Sequence, residues 1–150
     1  MDFGWISATP MMQLTKTGEY AVRAVVHLSA LPPGSVVSIA EISREWNVPE
    51  TFLRKIVTKL ARARIITSFR GNGGGISLAV QPRELTLLDV IQAIEGDLDL
   101  NVCVLSPDAC HRSPWCAVHA VWCEAQRKLR EVLSSKSLAE LAAASLAHRS

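Results

Sequence analysis

The sequence predicts a mainly α-helical fold with a small β-hairpin and a long C-terminal helix. Three observations carry this. Residues 50–63 place Leu53, Ile56, Val57 and Leu60 at i, i+3, i+4 and i+7, with polar and cationic residues opposite. "IITSF" and "ISLAV" flank the turn "RGNGGG", which reads as two short strands and a tight connection. From 116 to about 135 an apolar stripe recurs at Val118, Val121, Trp122, Ala125, Leu129 and Val132. At 150 residues the chain is about one domain long.

Leu14 to Leu31 reads as a helix with Tyr20, Ala24, His27, Leu28 and Leu31 near one face, stopped by "LPPG". Ser38 and Glu41 form a predicted capping box, the serine oxygen taking a free amide and the glutamate reaching back. A short helix, "IAEISREW", comes next. "NVPE" breaks it, and Pro49 suits the first turn of helix 50–63. After the hairpin, Thr86 to Asp89 starts a helix that runs to about Glu95. An irregular stretch spans 97–115, then comes the long helix. The alanine-rich end, "SLAELAAASLAH", is read as a tail.

The chain therefore divides into 1–11, a flexible tail; 12–83, a DNA-binding unit; 84–115, a connecting helix and cysteine loop; and 116–150, a dimerisation helix and C-terminal tail. The whole is a winged helix-turn-helix with a long C-terminal dimerisation helix. A short helix, a tight break, a cationic helix and a hairpin occur in the order that major-groove docking requires.

Charge supports this. Residues 51–70 hold six cations and no acid, a local +6 against +2 for the whole chain, so the remaining 130 residues carry −4. A focused basic patch points to a polyanion at one surface. The candidate DNA contacts are Thr51, Arg54, Lys55, Thr58, Lys59, Arg70, Asn72 and Gly73. "GNGGG" is not a phosphate cradle: Ile76 stands where a third glycine belongs, no Walker lysine comes after it, and no helix starts there. A flexible wing tip fits it better.

All four cysteines fall within 103–123. Cys103, Cys110 and Cys116 are spaced C-x6-C-x5-C, wider than the C-x2-4-C pairs of zinc ribbons. Wide spacing lets a loop wrap a larger object, and an iron–sulfur cluster held by thiolates is one. Cys123 lies roughly 10 Å of helical rise beyond Cys116 and is read as a small buried residue. His119, about one turn from Cys116, is a candidate fourth ligand.

No run approaches the roughly 20 apolar residues of a membrane span, although mean hydropathy is +0.20. "MDFGWISATP" lacks the cationic start of a signal peptide. The expected compartment is the cytoplasm, where clustered thiols are more often metal-binding or catalytic than bridged.

These residues resemble the Rrf-type family of winged-helix iron–sulfur transcription regulators over about residues 12–142. The resemblance rests on "MQLTKTGEYAVRAVVHLSALP", "SIAEISREWNVPETFLRKIVTKLARARIITSFRGNGGGISLA", "LTLLDVIQAIEG" and the three cysteines. "CHRSPWC" looks most like the nitric-oxide-sensing branch, and "CAVHAVW" more like the cluster-regulator branch, where a histidine three after the last cysteine is a ligand. The resemblance implies a homodimer that represses at a palindromic operator in double-stranded DNA, with affinity set by a [4Fe–4S] or [2Fe–2S] cluster. It implies that Thr51, Arg54 and Lys55 face bases, that Arg70 enters the minor groove, and that Glu19 can ligate the cluster of the partner subunit. Glu19 and His119 therefore remain alternatives. Arg54 departs from the glutamate of the cluster-regulator branch, so that branch's operator sequence does not carry over.

Two other readings stand beside this one: a regulator using bare thiols or zinc, and an enzyme with a cysteine nucleophile and His119 or His111 as base. The enzyme reading lacks a third orienting group and an oxyanion turn. The expectation is no enzyme; the signal expected is nitric oxide, redox state or iron.

Overall fold

The computed structural model describes residues 14–149, so the expected tail at 1–11 lies outside the described residues. Among the described residues, seven α-helices and one antiparallel hairpin succeed one another: α1 (Lys16–Ser29), α2 (Ile39–Trp46), α3 (Glu50–Arg62), β1 (Ile66–Phe69), β2 (Gly75–Leu78), α4 (Leu87–Glu95), α5 (Val102–Leu105), α6 (Ala117–Leu133) and α7 (Leu138–Arg149). The winged helix-turn-helix is thus formed by α1–α3 and the hairpin. Among the described residues no helix is long and apolar enough to cross a membrane.

The core is built from one face each of α1, α2, α3, α4 and α7, with the hairpin. Ala21, Ala24, Val25 and Leu28 of α1 meet Leu53, Ile56, Val57 and Leu60 of α3, and Val90 and Ile94 of α4. The α3 residues are those the 3.6-residue period selects. Ser38 Oγ accepts from the Glu41 N–H at 3.1 Å, while the return bond from the exposed Glu41 carboxylate does not form among the described residues. The full reciprocal box forms instead at α4, between Thr86 and Asp89. Pro49 sits at the N-cap of α3 rather than inside its first turn.

The hairpin pairs Ile66 with Leu78 and Phe69 with Gly75. It is pinned to the helices by a bridge the sequence pattern does not announce. Val37 donates to Ile76 O at 2.9 Å, and Ile76 donates to Val37 O at 2.8 Å. The bridge brings backbone against backbone at Gly75, where a Cβ would overlap the Val37 carbonyl. Glycine is used there because no side chain fits.

The C-terminal stretch is a correction. Expected as a tail, residues 138–149 form α7 and pack on α1, with Leu138 and Ala142 buried. Ser137 and Glu140 cap its start: Ser137 N–H donates to the Glu140 carboxylate at 2.7 Å, and Glu140 N–H donates to Ser137 Oγ at 3.2 Å. The Ser137 backbone N–H, first, and its hydroxyl hold the Glu140 carboxyl below the usual carboxylate range. A carboxyl depressed by folding stabilises above that range, and the contribution is lost as pH falls through the lowered value. Leu138 N–H also donates to Leu85 O at 2.8 Å, fixing α7 beside the connection into α4.

Gly75→Ala should lower stability by about 1–3 kcal/mol through forced overpacking at the Val37 bridge. Chemical denaturation measures it, and an unchanged midpoint would show that the bridge yields without cost.

Candidate functional site

The turn from α2 into α3 is tight because Asn47 adopts the left-handed conformation at φ 50° and closes α2. It presents Thr51, Arg54, Lys55 and Thr58 exposed on one face of α3. Arg54 pairs with Glu50 at 3.3 Å, and Thr58 Oγ1 donates to Arg54 O at 3.0 Å. Both partners of the ion pair are mostly exposed, so its net worth is small and the guanidinium is available to another anion. Arg70, Asn72 and Gly73 are exposed at the hairpin tip, where Gly71 and Gly73 carry φ 91° and 76°. The cations of α3 and Arg70 of the hairpin are thus both open to solvent.

Lys59 differs from its neighbours. Its ammonium donates to Ile94 O at 2.9 Å, in the last turn of α4. A cation there satisfies an unpaired carbonyl and complements the helix dipole. The same turn is gripped from α1: Thr15 N–H donates to Glu95 Oε1 at 3.2 Å, and the Thr15 hydroxyl donates to the same oxygen.

Gly96 ends α4, and the chain then runs along α6. Leu100 N–H donates to Gln126 Oε1 at 2.9 Å, and Gln126 Nε2 donates to Leu98 O. Arg130 pairs with Asp99 at 3.4 Å, with Asp99 largely covered. Cys103 lies in α5, Cys110 closes the 3-10 turn Pro107–Ala109, and Cys116 is the N-cap of α6. All three are free thiols and half-buried. The stretch expected to be irregular thus contains two short helical turns.

Among the described residues no group of three or more His, Cys, Asp or Glu side chains is gathered tightly enough to hold a metal ion. In chemistry, however, the donors suit an iron–sulfur cluster: three unbridged thiols on one segment, each able to take a separate iron. Two orphaned atoms lie in the same region, since Ser113 Oγ and His119 Nδ1 are buried without a hydrogen-bond partner. His119 is half-buried in the first turn of α6, with Nε2 3.4 Å from Cys123 Sγ. Cys123 is exposed, which corrects the expectation of a buried residue: it lies on a part of α6 that no other described element covers. Glu19 is exposed on α1, at the rim of a groove of about 670 Å³ lined by Leu14, Leu98, Leu100, Leu129 and Leu133 among others.

The expected pairing stripe divides. Val118, Val121 and Val132 are 58%, 66% and 67% exposed, whereas Trp122, Ala125 and Leu129 are half-buried. Gln126 is the one buried residue among those described on α6. Sequence reasoning missed Gln126 and Asp99; a lone glutamine within a polar helix face gives no signal of this kind.

Residues 14–144 match the family described as Rrf2, iron-dependent transcriptional regulator. A curated protein of Azotobacter vinelandii named as HTH-type transcriptional regulator ORF2 is 34% identical over 134 residues, which is 89% of this chain and 81% of that protein. Among solved structures, CymR of B. subtilis, described as the global cysteine regulator, is 26% identical with a TM-score of 0.73, covering 88% of this chain and 97% of that one. The oxidized form of Staphylococcus aureus CymR is 26% identical with a TM-score of 0.69, covering 87% and 96%. T. potens IscR is 26% identical with a TM-score of 0.68, covering 87% and 85%. These relatives are regulators rather than enzymes, which removes the cysteine-nucleophile reading.

Proposed function

The chain belongs to the Rrf2 family, described as iron-dependent transcriptional regulators, and from that premise we propose that it is a repressor whose grip on operator DNA is set by an iron–sulfur cluster. Its winged helix-turn-helix binds DNA. The cluster ligands are Cys103, Cys110 and Cys116, completed by His119 or Glu19. The working form is a cytoplasmic homodimer paired along α6, reading a palindromic operator. Residues 12–83 read DNA, 84–115 sense and 116–150 pair.

One observation carries the reading. Three free, half-buried thiols lie on a segment that begins at the last turn of α4, where Lys59 of the recognition helix is bonded. A bound cluster, of two or four irons, would supply iron atoms whose ligation responds to nitric oxide, redox state or iron supply. The chain's own residues do the rest. The cysteines order segment 97–116 when they are ligated. Gln126 and Arg130 hold its first residues on α6. Lys59 transmits the position of α4 to α3. Release of the cysteines relaxes the segment and alters the presentation of Arg54, Lys55 and Arg70. A signal acts only through its different stabilisation of the two arrangements.

A second reading, thiol or zinc chemistry without a cluster, is favoured by the likeness to a cysteine regulator. Anaerobic purification with a visible spectrum and iron and sulfide counts separates the two. Colourless protein without sulfide overturns the cluster.

Cys103→Ala, Cys110→Ala and Cys116→Ala should each abolish the visible bands while the far-ultraviolet circular dichroism stays native. Bands surviving in any one of them remove that residue from the ligand set.

Arg70→Ala should weaken operator binding and reduce its salt slope by about one unit, as loss of a phosphate or minor-groove contact does. Arg54→Ala should instead alter preference among half-sites, each base contact being worth about 1–3 kcal/mol. Binding assays on a half-site library measure both, and uniform weakening by Arg54→Ala would assign it to the backbone.

Lys59→Met keeps the aliphatic stem and removes the bond to Ile94. Operator affinity in one state should change little, while the ratio between the signalled and unsignalled states should shrink several-fold. An unchanged ratio would show that α3 and α4 are coupled by packing alone.

A further inference from the structure

We infer that Cys123 is the positioning residue of His119, holding its imidazole in the tautomer that leaves Nδ1 free to ligate. The ligand half of this inference rests on the cluster reading above; the pairing of the two side chains does not.

The two ring nitrogens of His119 have different surroundings. Nε2 lies 3.4 Å from Cys123 Sγ. Nδ1 is buried without a partner. The two residues are four apart on α6, so their side chains stack on one face of the helix. Neutral imidazole carries one N–H and one lone pair. If the thiol donated to Nε2, the hydrogen would sit on Nδ1, leaving a buried donor with no acceptor. With hydrogen on Nε2, the N–H donates to the sulfur and Nδ1 presents a lone pair. A bare lone pair can take a metal, and under the cluster reading the metal would be one held by the three thiols. His119 belongs to the first turn of α6, whose N-cap is Cys116, and its own N–H donates to Cys116 O at 3.2 Å. Histidines that bind metals commonly give their other N–H to an outer partner, which fixes both tautomer and ring orientation. Here sulfur takes the place of the usual carboxylate. This also accounts for an exposed cysteine set apart from the other three. It supports His119 as the fourth ligand.

The first test needs no metal. Protein carrying ¹⁵N-histidine is observed by NMR without iron, as wild type, Cys123→Ala and Cys123→Ser. The wild type should show His119 Nε2 protonated and Nδ1 as a bare nitrogen. Cys123→Ala should give mixed tautomers, and Cys123→Ser, which keeps an acceptor, should restore the wild-type pattern. A proton on Nδ1 in the wild type, or a tautomer indifferent to Cys123→Ala, overturns the pairing. The second test loads each protein anaerobically with ferrous iron and sulfide. In the wild type, the reduced cluster should show a nitrogen coupling by electron–nuclear double resonance, lost in His119→Ala. Cys123→Ala should hold its cluster about 10–100-fold less tightly, the usual cost of removing an outer partner. A cluster without nitrogen coupling overturns the ligand role and returns the site to Glu19. A wild type that has the expected tautomer but takes up no iron or sulfide overturns the cluster reading and the ligand role together, and leaves the pairing standing.

Discussion

The last turn of α4 is held from two sides. Lys59 reaches across from α3 to the Ile94 carbonyl, and Thr15, the N-cap of α1, gives two donors to Glu95. The second grip works only because position 18 has no side chain. A Cβ there would lie 2.5 Å from the Glu95 carboxylate and against Leu14. The start of α1, the far end of α3 and the exit of α4 are therefore one rigid joint. Directly behind that joint the chain leaves helix at Gly96 and enters the cysteine segment. Any rearrangement there is felt at an anchored point rather than at a loose end, and the anchor is shared with the helix that carries Arg54 and Lys55.

The segment beyond the joint is fastened differently. On α6 the one buried residue among those described is a polar one, Gln126, which uses its amide oxygen on Leu100 and its amide nitrogen on Leu98. Asp99 and Arg130 add an ion pair. Val102 and Leu105 of α5 are exposed, and no residue of α5 is buried. A segment held by a few hydrogen bonds, with little apolar burial, belongs to the low-stability end of a structure. The helix-turn-helix, by contrast, rests on a closed apolar core. The division suits a regulator: a stiff reading head, and beside it a stretch whose order can be set by what its thiols bind.

Much of this was legible in the residues. The face of α3 is set by its period, because burial against α1 is decided by azimuth and the apolar residues mark the azimuth. The start of α4 at Thr86 was legible because helix-start signals are local, but the reciprocal box was expected at Ser38 and Glu41 and forms at Thr86 and Asp89 instead. Three things were not. The helix α7 reads as a tail because alanines give helical propensity without an apolar stripe; only the nearness of α1 makes Leu138 and Ala142 a core. The Val37 bridge joins residues far apart in sequence and leaves one trace, the glycine at 75. Cys123 was placed inside because its helical rise set it apart from the other thiols and free cysteines are usually buried, but residue type does not say whether another element covers that face. The bonds of Lys59 and Gln126 are likewise long-range, and long polar side chains choose partners that no local pattern names.

The outer face of α6 brings these points together. Val118, Val121 and Val132 form a bare apolar strip, bordered on one side by the Arg127 ion pairs with Glu124 and Glu131. On its other side, Leu129 and Leu133 turn inward to the groove shared with α1 and α4. Three exposed valines edged by charges would lie on the seam in the proposed dimer. In the proposed dimer the seam and the sensing segment are not separate parts joined by a hinge. Cys116 caps the pairing helix, His119 lies in its first turn, and Gln126 and Arg130 fasten the stretch ahead of the cysteines to its middle. Under the proposed function, ordering the thiols would act both on the start of α6 and on the joint that carries the recognition helix. In that proposal a change at the three cysteines would reach the DNA-facing surface by two routes, one through α6 and one through the α4 joint.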